Sequence, residues 1–125
     1  MMTLNDARRV IAAAEDEARK IGQPMNIAVV VAGGNLVSHV RMDDAWIGSI
    51  DIAINKAFTA RAFDNSQPGQ QFFGIQASNG GRVMIFAGGV PLRRGGSVVG
   101  AIGVSGGTGS QDDTVAAAGA SAFAS

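Results

Sequence analysis

Apolar and polar positions alternate with helical spacing over the first segment of the chain, from Thr3 to Ile21. This pattern predicts an amphipathic helix. Thr3 followed by Asp6 is typical of a capping box at its start, and Gly22 is placed to end it. The apolar stripe consists of Leu4, Val10, Ile11, Ala14, Ala18 and Ile21.

Short apolar runs between glycine-rich turns then predict strands. Ile27–Val31 is a β-branched run typical of a buried strand. Ala32–Asn35 has turn chemistry, so Leu36–Met42 can return as the hairpin partner. Arg93–Gly96 is predicted as a second hairpin tip. The other predicted strands are Val83–Phe86, Val90–Leu92 and Ser97–Val104.

Two more helices are predicted. Asp43 and Asp44 can cap one from about Ala45 to Phe63, and the last begins at Ser110 with Asp113 as its capping-box partner. The apolar residues that recur at helical spacing in the second helix are Ile47, Ile50, Ile54 and Phe58.

The predicted order of elements is helix, two strands, helix, roughly three strands, helix. Short glycine hairpins require antiparallel pairing, because parallel strands need long crossover connections. We therefore expect an α+β fold in a single domain over residues 1–125. Its form is a three-layer-like α/β sandwich in which helices flank a central antiparallel sheet of five strands.

Composition narrows the class of protein. Lys and Arg number 10, as do Asp and Glu, so no basic field attracts a nucleic acid. Hydrophobic residues make up 46% and charged residues 16% of the chain, so we expect a homo-oligomer that covers apolar surface. The chain has no cysteine, which excludes thiolate metal sites and cysteine nucleophiles. No signal-peptide core or bilayer-length apolar run occurs, so we expect a cytoplasmic protein without membrane contact.

The glycine-rich stretch AIGVSGGTGSQDD, residues 101–113, suggests a phosphate loop but does not match one. Its glycines have the wrong spacing for a dinucleotide fingerprint, and no Lys followed by Ser or Thr comes after them as a P-loop requires. Asp112 and Asp113 would satisfy the helix N-terminus and repel an anion. We therefore interpret the stretch as a strand exit and a helix cap.

Two clusters of polar residues could carry chemistry. His39, the sole histidine, shares a strand face with Arg41. A single imidazole cannot build a multi-ligand metal site, but it can serve as an axial ligand of haem; an ordinary half-exposed strand histidine is the plainer alternative.

Ser49, Lys56 and Thr59 line one side of the second helix, where the lysine could hold a carboxylate or act as a base. On spacing alone, a solvated helix face is the better explanation.

Three longer segments, residues 33–63, 78–92 and 98–119, contain RMD, GGVPL and GAIGVSGG in that order. In them the chain resembles the GlcG/HbpS haem-binding family, also met as the C-terminal domain of PduO-type proteins. The resemblance implies a profilin- or PAS-like shape, homo-oligomers and, for some members, haem binding. The residues of this chain that match recurring family positions are Arg41, Asp43, Ser49, Lys56, Gly89, Pro91, Gly106, Gly107 and Asp112.

The resemblance leaves two hypotheses open. In the first the protein binds haem, with His39 as axial ligand and Arg41 or Arg94 pairing the propionates. In the second it is an enzyme, a hydrolase or isomerase acting on a small carboxylate or lactone in a catabolic pathway. Arg41 and Lys56 would then hold the carboxylate, while Asp43 or Ser49 takes part in proton transfer or hydrolysis. Neither hypothesis involves a protein-bound metal site.

Overall fold

A computed structural model describes residues 1–63 and 87–124 of the chain. The elements in these ranges are α1 (Leu4–Lys20), β1 (Asn26–Val31), β2 (Leu36–Arg41), α2 (Ser49–Phe63), β3 (Gly89–Arg94), β4 (Ser97–Ser105) and α3 (Gly109–Ala124). The predicted strand Val83–Phe86 lies outside the described residues. The fold is α+β, and the described sheet has four strands where five were predicted. Among the described helices, none has the length and apolar character needed to cross a bilayer.

The start of α1 confirms the predicted capping box. The Asp6 N–H donates to Thr3 Oγ1 at 3.0 Å, and the Thr3 N–H donates to Asp6 Oδ2 at 2.9 Å. The second of these bonds holds the pKa of Asp6 below its ordinary value. At the other end, Gly22 takes φ +69°, the left-handed conformation that terminates helices.

The strands form one antiparallel sheet in the order β2-β1-β4-β3. β1 pairs with both β2 and β4, so Asn26 lies between Arg41 on one side and Ser105 on the other. Gly95 and Gly96 both have positive φ between β3 and β4, as a two-residue type I′ hairpin turn requires. The predicted hairpin tip at this position is confirmed.

Helices cover both faces of the sheet, so the predicted layered sandwich is confirmed. On one face α1 and α3 bury a core that includes Val10, Val115 and the strand residues Ile27 and Ile102. On the other face α2 packs against alternate strand positions. That second cluster consists of Ala28, Val30 and Ala101 from the sheet with Ala53, Ala57 and Ala60 from the helix.

The start and the buried side of α2 differ from the prediction. Asp44 takes a positive φ of 70°, and the following residues form turns, so the helix begins at Ser49 and not at Ala45. Ile47 is outside the helix and 79% exposed. The helix buries its alanines instead of its larger apolar residues because the sheet surface beneath it includes the small residues Ala28, Ala101 and Gly103 and lets the helix come close. A Cβ at Gly103 would collide with the backbone oxygen of Ala53.

The stretch AIGVSGGTGSQDD is a strand exit and a helix cap, as predicted. The capping residues differ, however: the Gln111 N–H donates to Thr108 Oγ1 at 3.2 Å, and the Thr108 N–H donates to Gln111 Oε1 at 2.9 Å. The predicted pairing of Ser110 with Asp113 is wrong, because the helix starts one residue earlier, at Gly109. Asp113 instead accepts a hydrogen bond from the Gly88 N–H at 3.2 Å.

Candidate functional site

His39 lies on β2, at one edge of the described sheet, on the face that α2 covers. α2 packs mainly over β1, β4 and β3 and only marginally over β2, which leaves the His39 side chain half-buried. Its Nε2 lies 3.0 Å from Oδ1 of Asn26. Burial lowers the pKa of His39 below its ordinary value of 6.5, so the imidazole is neutral at neutral pH.

The segment after β2 is held against this strand by side chains from the sheet. Asn26 Nδ2 donates to the Trp46 carbonyl at 2.9 Å, and Arg41 Nη1 donates to the Ala45 carbonyl at 3.0 Å. The segment nevertheless presents two large apolar side chains to solvent, since Trp46 is 71% and Ile47 79% exposed. We call the area formed by His39, Arg41, Trp46 and Ile47 the His39 surface.

Arg94, the other predicted partner of a haem propionate, is not part of the His39 surface of the same chain. It lies on β3, the strand at the opposite edge of the described sheet. Its guanidinium contacts the α1 and α3 layer: Nη1 donates to the Met1 carbonyl at 3.0 Å, and Cζ lies 4.5 Å from the centre of the Phe123 ring. Within one chain, His39 and Arg94 therefore do not meet.

Lys56 and Asp112 form a buried ion pair between α2 and α3. The Nζ atom of Lys56 lies 3.0 Å from Asp112 Oδ2 and donates to the Val104 carbonyl at 3.0 Å. Asp112 Oδ1 accepts a further hydrogen bond from the Gly107 N–H at 2.9 Å. Burial raises the pKa of Asp112, while the Lys56 ammonium and the Gly107 N–H oppose that rise.

Glycines shape the space around this ion pair. A Cβ at Gly88 would lie 2.5 Å from the Val104 carbonyl oxygen and 3.1 Å from Lys56 Nζ, and a Cβ at Gly89 would lie 2.8 Å from the Lys56 carbonyl oxygen. Only glycine lets β3 approach α2 so closely. The resemblance motif GGVPL therefore has a steric role here, which is to admit the lysine beneath the helix.

The four predicted catalytic residues do not form one site. Ser49 and Lys56 are only 5% and 3% exposed, so the solvated helix face suggested by their spacing is wrong. They are also two helical turns apart, about 10 Å along the axis. Because the Lys56 ammonium is buried and already paired, it cannot join the exposed Arg41 in holding a small carboxylate. The contacts of these residues give no support to the hydrolase or isomerase hypothesis.

Arg41 and Asp43 line a shallow groove of about 330 Å³ between β2 and α1. Its other charged residues, Glu15 and Arg19, already form an ion pair at 2.9 Å. The groove carries both signs of charge. It brings together two of the four predicted catalytic residues, and neither Ser49 nor Lys56 lines it.

Asn26 and Asp112 are the polar residues that sequence reasoning left out of the predicted sites. Asn26 is completely buried and connects His39 to the Trp46 segment. The sequence signal that could have identified Asn26 is an amide side chain immediately before the buried apolar run Ile27–Val31. For Asp112 the sequence indicates a helix-terminal charge and a recurring family position but no site; its pairing with the buried Lys56 depends on the fold.

Comparisons with known proteins agree with this fold. A protein-family model described as "Haem degrading protein HbpS-like" matches residues 2–121 of the chain. Over an alignment of 123 residues the chain is 42% identical to the uncharacterized 15.0 kDa protein of the dhaT-dhaS intergenic region of Citrobacter freundii. That alignment covers 92% of this chain and 87% of the relative.

Solved structures with the same architecture include two with high coverage. Klebsiella pneumoniae protein ORFY is 38% identical to this chain, with a TM-score of 0.91. The alignment covers 99% of this chain and 91% of the ORFY chain. The protein of the PduOC:heme complex is 31% identical to this chain, with a TM-score of 0.88. The alignment covers 97% of this chain and 94% of the PduOC chain. The second of these structures contains haem.

Proposed function

Because the chain belongs to the HbpS-like family, we propose that it binds haem on the His39 surface, with His39 as an axial ligand of the iron. The observation that carries this proposal is the likeness to the PduOC:heme complex, which extends over 97% of the chain. Haem needs three things from a protein surface: a ligand for the iron, apolar contact for the porphyrin and cations for the propionates.

The residues of the His39 surface fit each of these needs. The imidazole is neutral at neutral pH, which is the form that binds metals, and it is the sole histidine of the chain. Trp46 and Ile47, seven and eight positions later in the chain, offer exposed apolar side chains. Arg41 keeps guanidinium donors beyond the one bonded to Ala45, and these suit a carboxylate. Haem bound there supplies a redox-active iron.

We further propose that the protein acts as a homo-oligomer in the cytoplasm. The oligomer is supported by the low charge of the chain, together with the exposure of Leu36, Trp46 and Ile47. Sedimentation velocity of the purified protein tests the oligomer directly. A single species with the mass of one chain at all concentrations would contradict it.

A haemin titration followed by absorbance tests haem binding. We expect the Soret band to shift and to saturate at a fixed stoichiometry, and we expect His39→Ala to lose the shift. Arg8→Ala is the matched control, because this exposed residue lies on α1, outside the His39 surface, and its replacement should leave the titration unchanged. An unchanged Soret band in the wild-type protein would refute haem binding, whereas a shift retained by His39→Ala would move the ligand elsewhere.

The family description adds haem degradation, and the titrated complex can test it. Ascorbate supplies electrons and the air supplies oxygen, so the complex of a haem-degrading protein loses its Soret band under these conditions. A Soret band that persists would limit the function to haem binding. Free haemin at the same concentration gives the rate of unassisted bleaching, against which the loss is compared.

A further inference from the structure

The hydrogen bonds of Asn26 determine which nitrogen of His39 carries the proton. The Asn26 Nδ2 group donates to the Trp46 carbonyl at 2.9 Å, so the other end of the amide, Oδ1, faces the imidazole. Oδ1 can only accept a hydrogen bond, and it lies 3.0 Å from His39 Nε2. Nε2 must therefore be protonated, and Nδ1 is the nitrogen that keeps a lone pair.

We propose that Asn26 is the positioning residue of the haem ligand: it fixes the imidazole of His39 in the Nε2–H form and so makes Nδ1 the atom that binds the iron. This inference rests on the proposed haem binding. Histidine ligands of metals commonly donate their second ring N–H to an acceptor of the protein, which orients the ring and selects its tautomer. Asn26 Oδ1 is that acceptor for His39.

The surroundings of Asn26 make it a rigid acceptor. The residue is completely buried at the start of β1, and its backbone lies between Arg41 of β2 and Ser105 of β4. Strands on both sides therefore hold its Cα in place. Its side chain joins the ligand to the Trp46 segment, so the imidazole and the apolar side of the His39 surface are positioned by the same amide.

Nitrogen NMR of the haem-free protein tests the tautomer, and the single histidine makes the assignment unambiguous. In a long-range ¹H–¹⁵N spectrum of the wild-type protein at neutral pH, we expect a protonated Nε2 and an unprotonated Nδ1. Asn26→Leu removes the acceptor and should leave a mixture of the two tautomers. Asn26→Asp loses the donor to the Trp46 carbonyl but keeps an acceptor oxygen for the imidazole, and should retain the Nε2–H form.

Haemin titration of the same variants tests the consequence for binding. Loss of such an acceptor commonly weakens metal binding, so Asn26→Leu should raise the haem dissociation constant about 10- to 100-fold. Asn26→Asp lacks the donor to the Trp46 carbonyl but keeps the acceptor for Nε2, so it should bind haem more tightly than Asn26→Leu. Ser105→Ala is the matched control, since it alters the neighbouring buried position on β4 and should leave both the tautomer and the titration unchanged.

The outcomes separate this inference from the function on which it rests. If wild-type protein binds no haem, the proposed function falls and the role of Asn26 falls with it. If wild-type protein binds haem and folded Asn26→Leu binds equally well, the positioning role alone is overturned. A proton on Nδ1 in the wild-type spectrum would also overturn it, and that measurement needs no variant to fold.

Discussion

Replacing Lys56 by Met should destabilise the protein strongly. The side chains of Lys56 and Asp112 are 4% and 5% exposed, and their charged atoms lie 3.0 Å apart. Removing one partner of such a buried pair leaves an uncompensated charge, which typically costs about 3–5 kcal/mol. The Val104 carbonyl also loses a hydrogen bond in this variant. We therefore expect the free energy of unfolding to fall by about 3–5 kcal/mol at neutral pH.

The loss should depend on pH in a defined direction. Burial already raises the pKa of Asp112 above the ordinary 3.8, and removing the Lys56 ammonium raises it further. A carboxyl whose pKa is higher in the folded state stabilises the fold when protonated, and that stability is lost as pH rises through the folded pKa. The difference between wild type and Lys56→Met should therefore shrink as pH falls from neutral towards 3.8.

Urea unfolding followed by far-ultraviolet circular dichroism measures both effects. Lys20→Met is the matched control, because Lys20 is the other lysine of the chain and is exposed at the end of α1. The double variant Lys56→Met with Asp112→Asn should be more stable than Lys56→Met alone, because it removes the unpaired charge. A loss below about 1 kcal/mol for Lys56→Met at neutral pH, the range of an exposed ion pair, would refute the reasoning.

Three other outcomes follow from single contacts. Gly103→Ala should lose about 1–3 kcal/mol through overpacking against Ala53, whereas Gly48→Ala, with nothing within 4 Å of the added Cβ, should be neutral in the same urea assay. Thr3→Ala should cost about 1 kcal/mol through loss of the N-cap, and an unchanged unfolding midpoint would contradict the capping box. Burial lowers the pKa of His39, so the neutral imidazole contributes stability that is present above pH 6.5 and is lost as pH falls through the folded-state pKa. The Tm of the wild-type protein should therefore drop more on acidification than that of His39→Gln. Parallel curves of Tm against pH would be evidence against this effect.

Helix caps and turns that involve only neighbouring residues were the features of the fold best predicted from sequence. The capping box of Thr3 and Asp6 involves residues three apart, and the Gly95–Gly96 hairpin depends only on its own two dihedral preferences. Both could be inferred without knowledge of the rest of the chain. The start of α3 was predicted wrongly even though it is local: Thr108 with Gln111 matches the S/T-x-x-E/Q capping box, and Ser110 with Asp113 has only the same spacing.

The buried side of α2 could not be inferred from its own pattern. Ile50, Ile54 and Phe58 recur at helical spacing, yet the helix buries Ala53 and Ala57. The deciding factor is the opposing sheet surface, where Gly103 allows the backbones to come close. Which side a helix buries thus depended on residues far away in sequence.

The candidate site was predicted only in part, because some of its contacts join residues that are far apart in sequence. His39 and Arg41 are close in sequence, and alternation along a strand places them together on one face. Asn26 and His39 are separated by 13 positions, and Lys56 and Asp112 by 56. Those pairings depend on strand register and on the packing of α3 against the sheet, which local patterns do not specify.

Direct detection of the iron ligand tests the central proposal, haem binding through His39. The protein is produced with ¹⁵N only in its single histidine, loaded with haem containing natural nitrogen, and studied in the ferric state by electron–nuclear hyperfine spectroscopy. We expect a ¹⁵N coupling from one imidazole bound to the iron. Failure to bind haem, or bound haem without a histidine ¹⁵N coupling, would contradict the proposal.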